Sequence, residues 1–174
     1  MLQRAPKISP VWGFVRDIAL GVLIWLLITA TIGEARVVPS VSMAPTIQVG
    51  DRLWTDKLTL HWRPIRRGDI VVFDTPFPAP TPYVKRVIGL SGETVEVKDG
   101  RVLINGRPID EPYLAEKPAY HFGPITVPQG QVLVLGDNRN DSYDSHYWGC
   151  LNKSAITARV VFRFWPLEHF GPVR

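Results

Sequence analysis

The sequence predicts a mostly-β domain, an antiparallel β-sheet attached to one N-terminal transmembrane α-helix. Three observations predict it. Residues 18–33, IALGVLIWLLITATIG, carry no charge. After Val37 the pattern turns to short runs rich in β-branched residues, broken by turn formers. Of the 16 prolines, all but Pro6 and Pro10 lie beyond residue 38, where they work against long helices. No repeat and no alternation of strand with helix is visible, so an antiparallel arrangement is the economical one.

The N-terminal segment, residues 1–17, carries Arg4, Lys7 and Arg16 against Asp17. By the positive-inside rule it is expected in the cytoplasm. The apolar run 18–33 is slightly short of the roughly 17–25 residues of a spanning helix. Trp12, Phe14 and the stem of Arg16 extend its effective length. A cleavable signal peptide is one alternative, because Gly33-Glu34-Ala35 places small residues where a cut requires them. A buried core helix is another. A retained anchor puts residues 34–174 on the outer face of a cell membrane, as a single-pass protein.

Strands are expected at Asp69–Phe73, Tyr83–Ile88, Glu93–Val97, Arg101–Ile104, Gln131–Leu135 and Ala158–Trp165. Asp99-Gly100 and Asn105-Gly106 flank an alternating run and signal hairpin turns. Residues 93–130 are therefore expected as a small β-hairpin insertion. Pro76, Pro78, Pro80 and Pro82 form an extended lead into the strand bearing Lys85. The run Leu53–Trp62, followed by Arg63, Arg66 and Arg67, mixes rings and cations, which suits membrane lipid or a hairpin packed on the core.

Charge excludes some classes of function. Residues 1–33 hold a net +2, and residues 34–174 hold seventeen basic and fifteen acidic groups, again +2. No basic face is indicated, so nucleic acid is not an expected partner. Cys150, the single cysteine, precludes an internal disulfide and is read as a small buried residue. The four histidines match no metal-ligand spacing, and neither metal nor cofactor is expected.

Three motifs stand out. Pro39-Ser40-Val41-Ser42-Met43-Ala44-Pro45-Thr46 sets two hydroxyls at i and i+2 between prolines; alone, it reads as a linker. Tyr83-Val84-Lys85-Arg86-Val87-Ile88-Gly89 sets a lysine in a hydrophobic strand, where an edge lysine that blocks aggregation is the plain reading. Period two sends Lys85 and Arg86 to opposite faces, with one expected toward the core. Gly136–Ser145 (GDNRNDSYDS) is dense in turn formers and alone reads as a polar loop.

In this order the motifs resemble the boxes of type I signal peptidase, a membrane-bound serine protease that removes signal peptides from exported preproteins. PSVSMAPT followed by VGD is similar to its nucleophile box and RGDIVVF to its next strand. YVKRVIGLSGE is similar to its lysine box, with Ser91 where proline is usual, and GDNRNDSYDSHYWG to its last box. The resemblance implies Ser42 as nucleophile and Lys85 as general base, a Ser-Lys variant of serine-protease chemistry. It implies an oxyanion hole from the Ser42 N–H and the Ser40 hydroxyl, and Ser142 as the residue orienting the lysine. It implies Asp144 as a structural acid, with Arg86 available to pair with it; a second usual arginine is His146 here.

A free lysine titrates near about 10.4, so neutralising it at pH 7 costs roughly 4.6 kcal/mol. Burial is the natural remedy. The strand neighbours of Lys85 cannot supply the apolar wall alone, so Met43 and residues from other strands are expected to help. Signal peptides are expected to bind as an added strand, with Val38, Pro39, Met43, Ile47, Tyr83 and Val84 shaping shallow pockets for Ala-x-Ala. Ile47 is equally readable as core. A silent β domain that merely holds exported peptides is a rival that has no need of a lysine buried beside a serine.

Overall fold

The computed structural model describes residues 10–173. The expected cytoplasmic residues 1–9 lie outside them. Helix α1 runs Pro10–Thr31, starting eight residues before the uncharged run and ending before Gly33. The early start is possible because Arg16 and Asp17 neutralise each other through a 3.0 Å hydrogen bond and a 2.9 Å ion pair. From Val11 to Thr29 the helix is apolar and none of it is buried. That excludes the core-helix reading. Gly33-Glu34-Ala35, the candidate cleavage junction, lies inside strand β1, so a cut there would strip an edge strand from the sheet.

The strands follow as β1 (Gly33–Val37), β2 (Arg52–Asp56), β3 (Ile70–Phe73), β4 (Tyr83–Leu90), β5 (Thr94–Lys98) and β6 (Arg101–Ile104). Then come β7 (Arg107–Pro108), β8 (Phe122–Thr126), β9 (Gln131–Leu135), the one-turn helix α2 (Ser145–Trp148), β10 (Leu151–Asn152), β11 (Ile156–Trp165) and β12 (Gly171–Pro172). The large sheet has the order β1-β2-β11-β3-β4-β9-β10, with β12 on β11. Its pairings are antiparallel throughout. A second sheet has the order β7-β6-β5-β8.

Both hairpin dipeptides act as read. Asp99 and Gly100 (φ 52° and 71°), like Asn105 and Gly106 (52° and 76°), adopt the positive φ pair of a tight turn that matches strand twist. The stretch expected as a small hairpin holds two further strands, β7 and β8. It also shares a core with the large sheet: Val95, Val97 and Val102 pack with Ile88, Leu133 and Leu135. Cys150 is half-buried against that core rather than fully enclosed. A separate cluster of Val38, Met43, Ile47, Leu53, Ile70 and Val72 fills the other end of the sheet, beneath the Pro39–Thr46 turn.

Candidate active site

Strand β4 has no solvent face in its middle. Lys85 is 3% exposed and Arg86 2%. Alternation still sends them to opposite sides, but both sides are covered, so the expectation that only one meets the interior is corrected. The Ser42 turn covers Lys85, while Asp137 and the Tyr113 ring cover Arg86.

On one face, Arg86 lies against Asp137. Nε and Nη2 reach the carboxylate at 2.8 and 2.6 Å, and Nη1 donates to the Gly68 carbonyl at 3.1 Å. Its guanidinium stacks 3.9 Å from the Tyr113 ring centroid. Asp144, the partner expected for Arg86, is engaged elsewhere. Its Oδ2 accepts from the Gly136 N–H at 2.8 Å and from the Ser142 hydroxyl at 2.5 Å. Its Oδ1 lies 2.9 Å from His146 Nδ1 and accepts from the His146 N–H at 3.2 Å, capping α2. Asp137 lies within ion-pair reach of the guanidinium, while the oxygens of Asp144 are taken by Gly136, Ser142 and His146. Asp137→Ala deprives a buried guanidinium of its carboxylate and should cost about 3–5 kcal/mol of stability, read from the urea midpoint in detergent.

On the other face, Lys85 Nζ donates to Ser42 Oγ at 2.5 Å. The amine also lies 5.4 Å from the Tyr83 ring centroid, two residues before it on the same face. Burial pushes the amine down from the ordinary lysine value to about 8, against the pull of the Asp144 and Asp137 charges. Ser42 is itself buried, held by the turn that follows β1, and its hydroxyl lies 3.2 Å from that of Ser40. The hydroxyl of Ser142, expected to orient the lysine, donates its hydrogen bond to Asp144 Oδ2. A carboxylate is the stronger acceptor, and the bond is charge-assisted.

Sequence reasoning did not single out Gly136 or Asn138. The Asn138 N–H donates to the Ser42 carbonyl at 3.1 Å, and its side-chain amide to the Val41 carbonyl at 3.3 Å. Gly136 lies so close to the Ser42 carbonyl that a Cβ would stand 2.4 Å from its oxygen. Both belong to a stretch rich in turn formers, and only packing reveals what the turn leans on.

The pair opens into a cleft of about 290 Å³. Val38, Pro39, Met43, Ile47, Tyr83 and Val84 all line it. Ile47, at 0% exposed, is also core, so the two readings of it coincide at the cleft floor. Thr81, Asp141 and Tyr143 complete the rim. Beside the cleft β4 pairs with β3 from Tyr83 to Arg86, but with β9 only from Arg86 onward. Its Tyr83–Lys85 segment thus keeps one edge outside the ladders. Among the described residues, no group of three His, Cys, Asp or Glu is placed to hold a metal.

The family model of signal peptidase, peptidase S26, matches residues 11–165. A signal peptidase I of Leptolyngbya laminosa is 48% identical over 170 residues, covering 94% of this chain and 84% of that relative. The signal peptidase I T of Bacillus subtilis is 39% identical, over 90% of this chain and 86% of the relative. A crystal structure of a signal peptidase I from Enterococcus faecalis superposes with a TM-score of 0.51 at 35% identity, covering 56% of this chain and 97% of that one. With the apolar helix in place ahead of the β domain, the chain belongs to the signal peptidase family, peptidase S26, as a membrane-anchored signal peptidase I.

Proposed function

We propose that the chain cleaves preproteins after their signal peptides by nucleophilic attack of Ser42, with Lys85 as general base. The 2.5 Å contact between Lys85 Nζ and Ser42 Oγ at the cleft floor carries this reading. With the amine titrating at about 8, about one molecule in ten holds it neutral at pH 7. The neutral amine takes the hydroxyl proton as Oγ bonds to the scissile carbonyl carbon. The carbonyl π electrons move to oxygen, where the Ser42 N–H and the Ser40 hydroxyl stabilise the oxyanion. The ammonium of Lys85 then protonates the departing amine as the peptide bond breaks, leaving an acyl-serine. A water repeats the sequence on the acyl-serine, giving up its proton to Lys85, and releases the signal peptide's new carboxylate. No cofactor or metal takes part in these steps.

The substrate adds as a strand along the open edge of Tyr83–Lys85 and the Val38–Pro39 backbone. Walls formed by Met43, Ile47 and Val84 leave room for small side chains, which supports Ala-x-Ala before the cut. The basic flank of α1 supports a cytoplasmic N-terminus and a catalytic domain on the outer face. Trp62 and Trp165, 75% and 50% exposed, are suited to the lipid headgroup layer.

The test is cleavage of a preprotein bearing Ala-x-Ala at its junction, in detergent, with the junction identified by mass spectrometry. Ser42→Ala should abolish release of the mature chain while the protein stays folded, with stability lowered by about 1–3 kcal/mol for the acceptor that the buried Lys85 amine loses. Cleavage retained in Ser42→Ala would reject the assignment.

A further inference from the structure

The connection between the anchor helix and the Ser42 turn contains no linker. Helix α1 ends at Thr31, where the Ile32 N–H still donates to the Ile28 carbonyl at 2.8 Å. The Ile32 carbonyl already accepts from the Lys57 N–H at 2.9 Å. Gly33 opens β1, which pairs with β2 residue for residue through Val37. The Val38 N–H then donates to the Asp51 carbonyl at 3.0 Å. Every residue from 32 to 38 is therefore tied to the domain.

Three further features tighten this junction. The Lys57 ammonium donates to the Thr29 carbonyl at 3.0 Å and to Glu34 Oε2 at 3.1 Å, bridging the helix terminus to β1. The last helical carbonyls lack intrahelical donors and carry the negative end of the dipole, so an ammonium is the matching group. Thr55 Oγ1 donates to the Glu34 carbonyl at 2.9 Å from the other side. Gly33 is buried where a Cβ would stand 2.1 Å from the Thr55 carbonyl oxygen, so the two backbones touch. Helix and sheet are thus joined without a break in hydrogen bonding.

We propose that Lys57, Glu34 and Gly33 form a clamp that sets the height of the Ser42 cleft above the membrane, making the distance from a substrate's apolar segment to its cleavage junction a determinant of specificity. The proposal rests on the signal-peptidase reading above. Strand β1 advances about 17 Å, a rigid step where a flexible tether would sample many heights. An extended substrate gains about 3.3 Å per residue, so a shift of about three residues displaces the scissile bond by about 10 Å, beyond the reach of Ser42.

The experiment uses the full chain in phosphatidylglycerol/phosphatidylcholine vesicles. Its substrates are preproteins with the junction moved outward by about three and about six residues, and a short soluble peptide carrying the same junction. Wild type should discriminate at least about tenfold between the best and the longest spacing. Gly-Ser-Gly-Ser inserted between Ile32 and Gly33 should reduce that preference to about threefold or less. Lys57→Met should flatten it partly and Lys57→Arg should retain it. All variants should cut the soluble peptide at the wild-type rate; if the insertion does not, Lys57→Met decides. A spacing preference unchanged in a variant that cuts the soluble peptide normally overturns the clamp. Failure of wild type on the soluble peptide overturns the signal-peptidase chemistry instead.

Discussion

Lys85→Met is expected to lose about 10⁴-fold or more of single-turnover cleavage and, at pH 6–7, to unfold at higher urea than wild type. The first effect follows from removing the nitrogen that lies 2.5 Å from Ser42 Oγ and can accept its proton. The second follows from what the site imposes on that nitrogen. Burial lowers the amine to about 8, which corresponds to about 3 kcal/mol of preference for the neutral form. Below pH 8 the folded protein carries a buried ammonium and bears that whole cost. A methionine of similar length fills the same space without it.

The sign with pH is opposite to that of a salt-bridged carboxylate. Between pH 8 and the ordinary lysine value, the unfolded chain holds a proton that the native chain has released, so wild-type stability rises with pH across that window. The advantage of Lys85→Met should therefore be largest at pH 6–7, at most about 3 kcal/mol, and fade as the pH passes through 8 toward 10. Wild-type single-turnover rates should climb about tenfold per pH unit up to about 8 and then level off. An inactive Lys85→Met with unchanged stability at pH 7 would show that the amine is not desolvated. A rate that is flat from pH 6 to 9 would contradict its role as base.

Much of this site is legible in the chain because strands and tight turns are local. The Asp99-Gly100 and Asn105-Gly106 dipeptides determine their turns without reference to anything distant. The alternation of β4 separates Lys85 from Arg86 in the same way. Partner choice is not local. Arg86 could be matched with Asp137 or Asp144, both in one acidic turn, and nothing in the order of residues says which carboxylate lies within ion-pair reach. The helix boundary failed for a related reason. Residues 18–33 were delimited by the absence of charge, but Arg16 and Asp17 cancel each other within the helix, and Gly33 is claimed by β2 through pairing. The same tertiary pairing makes β1 a strand despite a sequence, GEARV, with little β character.

Gly136→Ala is expected to reduce kcat/KM by about 100-fold or more and stability by about 1–3 kcal/mol, although it adds a single methyl to a residue that does not line the cleft. That methyl would lie 2.2 Å from Ser142 Oγ and 2.4 Å from the Ser42 carbonyl oxygen. Carbon and oxygen in contact sit well beyond 3 Å, so one of these groups must move. The carbonyl belongs to the nucleophile's own backbone and accepts from the Asn138 N–H; pushing it away drags Ser42 from Lys85. The hydroxyl of Ser142 can yield only by leaving Asp144, whose charge bears on the amine. Ser142→Ala introduced together with Gly136→Ala relieves the hydroxyl clash and leaves the contacts with the Ser42 carbonyl and with the Cβ of residue 142 at 2.6 Å, so activity in the double variant should stay as low as in Gly136→Ala alone. Recovery in the double variant would locate the damage at the hydroxyl. Gly136→Ala within about threefold of wild type would mean that the loop does not rest on the Ser42 backbone at all.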